Sequence, residues 1–198
     1  MSKVDIKLIQ ELREKTGLGM MDCKKALVEN NGNVEKAIED LRKKGAAVAA
    51  KRSDKSTSQG RVCSYIHPGD QIGVLVEINC ETDFVARTEA VEQFAKDIAM
   101  HIAAFKPLAV SPDEVDQKLI DKEKEVITAQ LAESGKPANI IEKILEGRID
   151  KFLAEICLLK QPFMKNDKIT VEEELKQIIA KTGENVKIRR FARYQVGE

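Results

Sequence analysis

The chain of 198 residues has no Trp, and its aromatic residues are limited to six Phe and two Tyr. Proteins that bind single-stranded nucleic acid stack its bases on aromatic side chains, and this composition offers few of them. Lys+Arg and Asp+Glu are equal at 33 each, so no net charge attracts nucleic acid or an anionic membrane. No apolar run approaches the roughly 20 residues that span a bilayer. We therefore expect neither nucleic acid nor a membrane as a partner.

Potential metal ligands are also few, since the chain has only four Cys and two His. They are widely spaced and include no Cys-x-x-Cys pair: Cys23, Cys63, Cys80, Cys157, His67 and His101. Zinc sites need four well-spaced ligands, so no metal is expected and the thiols are predicted to be reduced. Residues 1–5 lack the apolar segment of a signal peptide, which favours a cytoplasmic protein.

Catalytic motifs are missing as well. There is no Gly-x-x-x-x-Gly-Lys-[Ser/Thr] loop, no Gly-x-Ser-x-Gly elbow and no His-Glu-x-x-His helix. Gly17-Leu18-Gly19 lies between two predicted helices, with no strand before it. The carboxylates fall on polar helix faces beside lysines, where charge pairing explains them. The sequence therefore predicts no catalytic residues, no cofactor and no enzymatic activity.

The N-terminal part of the chain, residues 1–45, is predicted to be a bundle of three short helices. The first ends near Gly17, the second runs from about Met20, and the third begins after Asn33, a favourable N-cap. Residues 46–60 are rich in Ala and then in Ser and Lys. They predict a linker that begins as a continuation of the third helix.

Residues 61–198 predict an α+β core domain. Alternating residues over 61–80 are typical of a β-hairpin, and a long amphipathic helix follows. A capping box at residues 111–114 predicts the start of a helical hairpin that extends to about residue 160. A last strand near 186–194 is expected to join the hairpin in a small antiparallel sheet.

The segment Thr82-Asp83-Phe84-Val85 lies where the predicted sheet leads into a helix. Such junctions are surface loops, which commonly display binding residues. Phe84 beside Asp83 would form an apolar wedge next to a negative charge. The alternative is that Phe84 is buried, because large aromatic side chains usually are. The pattern of residues leaves both interpretations open.

Two methionine pairs allow similar alternatives. Met20 and Met21 follow the first loop of the bundle, where they could form a groove for a partner helix or fill the core. Met100 and His101 are predicted to face away from the apolar stripe through Ile98. They would then be either a contact for a partner protein or an incidental surface pair.

Four segments resemble one family, and together they cover nearly the whole chain. They read EKTGLGMMDCKKAL at 14–27, TDFVAR at 82–87, IAMH at 98–101 with Lys106-Pro107 after it, and GENVKIRRF at 183–191. In this order they are similar to the signatures of elongation factor Ts.

The resemblance implies a guanine-nucleotide exchange factor that binds elongation factor Tu and promotes release of GDP. It implies a bundle like a ubiquitin-associated domain that docks on the partner's GTPase domain. Asp83 and Phe84 would enter near the bound Mg²⁺ and phosphates, and Met100 and His101 would face another domain of the partner. The partner-binding residues implied are Thr82, Asp83, Phe84, Val85, Met20, Met21, Met100 and His101.

The chain differs from the longer members of this family, because it has residues for only one sheet. A single core can hardly reach two partner domains, so we expect a homodimer in which two chains contact each partner. The alternative function is a non-catalytic adaptor that binds partner helices through the N-terminal bundle.

Overall fold

The computed structural model describes residues 4–132 and 137–198. Helices and strands alternate along the chain in an α+β arrangement, as predicted. The helices are α1 Ile6–Thr16, α2 Met20–Glu29, α3 Val34–Arg52, α4 Asp83–Ala86, α5 Glu89–Phe105, α6 Gln117–Ala132, α7 Ala138–Ile156 and α8 Val171–Thr182. The strands are β1 Gln59–Ile66, β2 Ile72–Cys80, β3 Pro162–Phe163, β4 Asn166–Thr170 and β5 Val186–Gln195.

The chain divides into two compact units. The first contains the chain up to Arg61, with Ile78–Phe94 and Glu173–Lys187. The second contains three further stretches of the chain, namely Val62–Glu77, Ala95–Glu172 and Ile188–Glu198. The domain boundaries drawn from the sequence, at residues 45 and 60, remain a prediction.

The first three helices of the first unit form the predicted N-terminal bundle. Their shared core consists of small and aliphatic side chains: Ile9, Leu12, Cys23, Ala26, Leu27, Ala37 and Leu41. Gly17 ends α1 with φ 64°, and the side chain of Asn33 accepts the Lys36 N–H at 3.0 Å to begin α3. Helix α3 continues to Arg52, so the first part of the predicted linker is helical.

The three-stranded sheet has the order β1-β2-β5, so the predicted hairpin and the C-terminal strand are confirmed. Val74, Val76 and Ile78 alternate with the half-exposed Leu75, which shows that one face of β2 is covered. The two-stranded antiparallel pair β3-β4 was not predicted, because a strand of two residues carries no readable alternation.

The helical hairpin forms from α6 and α7, which pack through Ile127, Leu131 and Ile149. Its predicted start at Ser111 is wrong, because residues 112–114 form only a single 3-10 turn. The Glu114 carboxylate accepts the N–H of Val110 at 3.2 Å, one residue before the position that a capping box requires. The backbone is then extended until α6 begins at Gln117. The predicted end of that helix, near residue 134, lies outside the described residues.

The four cysteines are all thiols, and none of them forms a disulfide. Within residues 4–132 and 137–198, no helix is both long and apolar enough to cross a membrane.

Two glycines give opposite expectations for stability. Gly183 ends α8 with φ 73°, and Gly147 lies within α7; an added Cβ would meet no atom within 4 Å at either position. Gly183→Ala should lower the free energy of unfolding by about 1 kcal/mol, because a Cβ disfavours the left-handed backbone. Gly147→Ala should raise it by about 0.5–1 kcal/mol, because alanine favours the helix. Urea unfolding midpoints that shift in the same direction for both variants would contradict this assignment.

Candidate functional site

The feature that stands out in the first unit is the single helical turn α4. Phe84 is 80% exposed on this turn, whereas Ala86 on its other side is buried. Thr82 precedes the turn in an extended conformation, and its hydroxyl oxygen accepts the N–H of Val85 at 3.4 Å. The turn therefore projects Phe84 into solvent, and the interpretation that Phe84 is a core residue is wrong.

The C-terminal end of α4 is held by side chains on both sides of it. Arg61 donates from Nη1 to the Ala86 carbonyl at 3.3 Å and lies 3.4 Å from the Glu92 carboxylate. The Thr88 hydroxyl donates to the Val85 carbonyl at 2.8 Å. The Arg61 bond satisfies a carbonyl that a helix of one turn leaves without an internal partner, and the Thr88 hydroxyl adds to the bond that the Val85 carbonyl accepts from the Thr88 N–H at 3.0 Å.

Arg61 was not singled out from the sequence. Its contact with Ala86 spans 25 positions, so no local pattern around Arg61 could have indicated it.

Asp83 carries the negative charge next to Phe84. Its carboxylate lies 3.1 Å from the Arg87 guanidinium, four residues later, and both side chains are well exposed to solvent. Exposed pairs of this kind contribute at most about 1 kcal/mol. The Asp83 carboxylate can therefore leave Arg87 for another cation at little cost.

Cys80 lies at the end of β2, just before this segment, and it is fully buried. Burial raises the pKa of its thiol to about 11, and the nearby Glu184 carboxylate contributes to the same shift. The thiolate is the nucleophilic form of cysteine, and it is scarce at neutral pH with such a pKa. Cys80 thus supports the site by packing and brings no thiol chemistry to it.

Met20 and Met21 begin α2 and are 52% and 73% exposed. The interpretation of at least one of them as a core residue is therefore wrong. The bundle is filled without them, and both thioethers are displayed at the surface of the first unit.

His101, in the second unit, differs from the prediction. Its side chain is fully buried, while Met100 beside it is half-buried. The His101 ring stacks on Phe105 with a centroid distance of 4.5 Å and also lies near Phe163 of the β3-β4 hairpin. The expectation that His101 faces outward is wrong, because the unpredicted hairpin covers that side of α5.

The hydrogen bonds of His101 define its protonation state. Nδ1 accepts the backbone N–H of Met164 at 3.3 Å, so Nε2 carries the proton and donates to Gln161 Oε1 at 2.9 Å. The Gln161 amide donates in turn to the Glu155 carbonyl at 2.6 Å. Burial lowers the pKa of His101, and the Gln161 hydrogen bond opposes this only in part. His101 is therefore a neutral internal residue that links α5 to the hairpin.

Within the described parts of the chain, no group of three or more His, Cys, Asp or Glu side chains could hold a metal ion. The described surface instead displays an aromatic side chain beside a carboxylate on a braced turn, and a separate exposed methionine pair. Both features are exposed apolar side chains of the kind that proteins commonly use to contact other proteins.

Comparisons with known proteins specify the family. A family model described as Elongation factor TS matches residues 6–198. An elongation factor Ts from Carboxydothermus hydrogenoformans is 58% identical over 191 residues, which cover 96% of this chain and 88% of the relative. A relative from Alkaliphilus metalliredigens is 59% identical over 96% of this chain and 88% of its own length. A third, from Syntrophus aciditrophicus, is 56% identical over 96% of this chain and 95% of its own length. The chain belongs to the elongation factor Ts family.

The buried His101 predicts a dependence of stability on pH. The unfolded chain binds this proton with the ordinary pKa of 6.5, whereas the folded chain binds it only at lower pH. His101 should not affect stability well above pH 6.5. As the pH falls below that value, the free energy of unfolding should decrease by at most about 1.4 kcal/mol per pH unit.

Urea unfolding across this pH range would measure the effect, with His101→Gln as the comparison. The variant keeps His67 and all carboxyl groups, so only the contribution of His101 differs. Equal slopes of stability against pH in the two proteins would contradict the prediction.

Proposed function

We propose that this chain promotes the release of GDP from elongation factor Tu during translation elongation in the cytoplasm, by inserting Asp83 and Phe84 near the bound Mg²⁺ and phosphates. The family membership supports the partner and the activity. The observation that supports the mechanism is the 80% exposure of Phe84 on a turn that is held at both ends. A large apolar side chain in this position stays hydrated until a partner covers it.

The free energy for exchange would come from burial of Phe84. Covering a Phe side chain contributes about 1.5–3 kcal/mol. If the pocket for Phe84 exists only when the partner's helices are displaced, this energy shifts the partner toward that displaced state. The displaced helices hold the metal and the diphosphate less tightly. GDP then weakens binding of the exchange factor by the same factor, because coupling between two binding sites is reciprocal.

Asp83 would add an electrostatic contribution. Its weak pairing with Arg87 leaves the carboxylate free to approach the partner's cations. A negative charge close to the phosphates also disfavours the bound diphosphate. Neither effect requires a covalent step, which agrees with the lack of any catalytic motif in the sequence.

Further contacts are proposed for the exposed Met20 and Met21 and for the half-buried Met100. Flexible thioether side chains adapt well to a partner surface. Thr82 and Val85 would support the inserted turn, since Thr82 caps it through the Val85 N–H. His101 would act from inside the second unit, by fixing the segment that carries Met100.

We also propose a homodimer. The outer face of the sheet, within the second unit, displays four large side chains that are about half or more exposed: Val62, Ile66, Leu75 and Tyr194. Gly73 lies on this face, since a Cβ there would be 3.1 Å from Ile66 Cδ1. Arg190 and Glu77 form an ion pair, which places Glu77 with Leu75 on β2 and Arg190 with Tyr194 on β5 on the same side. The alternation of β5 is interrupted before Arg190, because Val186 and Ile188 are buried. A second copy of the sheet would cover this apolar face.

Phe84→Ala should slow GDP release from elongation factor Tu roughly tenfold to a hundredfold, the equivalent of the lost burial energy. Stopped-flow release of a fluorescent GDP analogue measures the rate. The free energy of unfolding should change by less than about 0.5 kcal/mol, because the side chain is exposed.

Val126→Ala provides a matched control, because Val126 on α6 is 45% exposed and lies outside the proposed contacts. Two results would contradict the mechanism: an unchanged release rate for Phe84→Ala, or unfolding of that variant. A chain that binds elongation factor Tu without accelerating release would favour the adaptor function instead.

Leu75→Glu should convert the dimer into a monomer, because it places a charge in the middle of the apolar sheet face. Sedimentation equilibrium measures the mass, and Leu119→Glu on α6 is the control, since Leu119 is 36% exposed. A parent chain that is strictly monomeric with full exchange activity would refute the dimer.

A further inference from the structure

Two chain junctions in the first unit are joined by a reciprocal pair of carboxylates. Glu81 and Thr82 follow β2, and Glu184 and Asn185 connect α8 to β5. The Glu184 carboxylate accepts the Thr82 N–H at 3.0 Å and the Thr82 hydroxyl at 2.7 Å. In the opposite direction, Glu81 accepts the N–H of Asn185 at 2.6 Å. We name these four residues the carboxylate clasp.

The carboxylate clasp is also connected to the end of α3. The second oxygen of Glu81 lies 3.3 Å from the Arg52 guanidinium. The side chain of Asn185 is buried and donates to the carbonyls of Lys55, at 2.9 Å, and Ser53, at 3.3 Å. Glu81 and Asn185 are therefore also bonded to the stretch from Arg52 to Lys55, at the end of α3.

The Thr82 hydroxyl connects the clasp to α4. It donates its proton to Glu184 and accepts the N–H of Val85 with the same oxygen. Hydrogen bonds to an ionised carboxylate are roughly twice as strong as neutral ones. Glu184 thereby orients the oxygen that caps the turn, although it does not itself contact Phe84 in any described interaction.

We propose that Glu184 is a positioning residue for Phe84: it holds Thr82, and through Thr82 it keeps α4 folded before the partner is bound. This inference rests on the proposed role of Phe84 in exchange. Isolated helices shorter than about 12 residues are marginal in water, so a helix of four residues needs such external support. A turn that is ordered in advance loses less conformational entropy on binding, and more of the burial energy remains to displace the partner's helices.

The closing experiment is a double-mutant cycle between Glu184 and Phe84. GDP release from elongation factor Tu is measured at saturating concentrations of the parent chain, of each single variant and of the double variant. Glu184→Ala should slow maximal release by about tenfold, a loss that fits one or two charged hydrogen bonds. The double variant should be slower than Phe84→Ala by much less than tenfold, because Glu184 acts through the turn that carries Phe84, and only the smaller contribution of Asp83 on that turn is left to lose. Rate losses that multiply in the double variant would overturn the proposal.

A second pair of variants covers the case in which Glu184→Ala fails to fold. Thr82→Val keeps the shape of the side chain and removes the hydroxyl, and it should slow release by about as much as Glu184→Ala. Thr82→Ser retains the hydroxyl and should recover most of that loss. Equal rates for the valine and serine variants would overturn the proposal. Glu125→Ala is the control, since Glu125 is exposed on α6 and lies outside both the N-terminal bundle and the proposed contacts.

Hydrogen exchange of the free chain separates this proposal from the exchange mechanism. Thr82→Val should accelerate amide exchange at Val85, Ala86 and Arg87, whose N–H groups are hydrogen-bonded in the turn, at least about tenfold, while the amide of Ile149 in α7 stays unchanged. Normal GDP release by Phe84→Ala, together with this acceleration, would refute the mechanism and leave the positioning of the turn intact. Unchanged amide exchange over residues 85–87 would overturn the positioning role, whatever the result with Phe84.

Discussion

A single helical turn has too few internal hydrogen bonds to remain folded alone, and the proposed site depends on this constraint. In the structure, residues outside the turn supply the hydrogen-bond partners that it lacks. Thr82 caps it by accepting the N–H of Val85, and Arg61 and Thr88 bind carbonyls at its end. Phe84 can be exposed and still have a defined position, because none of these contacts uses its side chain. Order of the backbone and exposure of the side chain are thus provided by different residues.

The second unit uses a polar side chain in a different way. His101 is enclosed by aromatic rings and bonded at both ring nitrogens, so it contributes to rigidity instead of offering a surface. A buried polar group costs little when each donor and acceptor has a partner, and it restricts the packing to one arrangement. The segment of α5 that carries Met100 is therefore fixed from within by its neighbour.

Local signals in the sequence predicted much of this fold. The caps Asn33, Gly17 and Gly183 mark helix ends because their effects are confined to a few residues. Alternation along β2 was readable because one face is covered. The exposure of Phe84 could not be deduced, because it depends on whether other segments leave room for the ring inside.

Contacts between residues far apart in the chain explain most of the features that the sequence did not predict. The bond between Thr82 and Glu184 joins residues 102 positions apart, and no periodicity reports such a pair. His101 was placed outside because the apolar stripe of α5 was judged without the β3-β4 hairpin that covers it. Residues 111–114 match the sequence of a capping box, but the predicted helix start there is wrong. The Glu114 carboxylate accepts the N–H of Val110 instead of the N–H of Ser111.

The energy available to the proposed mechanism also limits how it can operate. Burial of one Phe side chain contributes about 1.5–3 kcal/mol, which corresponds to roughly a tenfold to hundredfold change in rate. Coupling free energies between two binding sites are of the same order, about 1–3 kcal/mol. Only contacts that differ between the two states of the partner contribute to this coupling, whereas contacts made equally in both states increase affinity alone. A small exposed wedge on a rigid support meets this requirement, because its burial depends on the rearrangement it promotes.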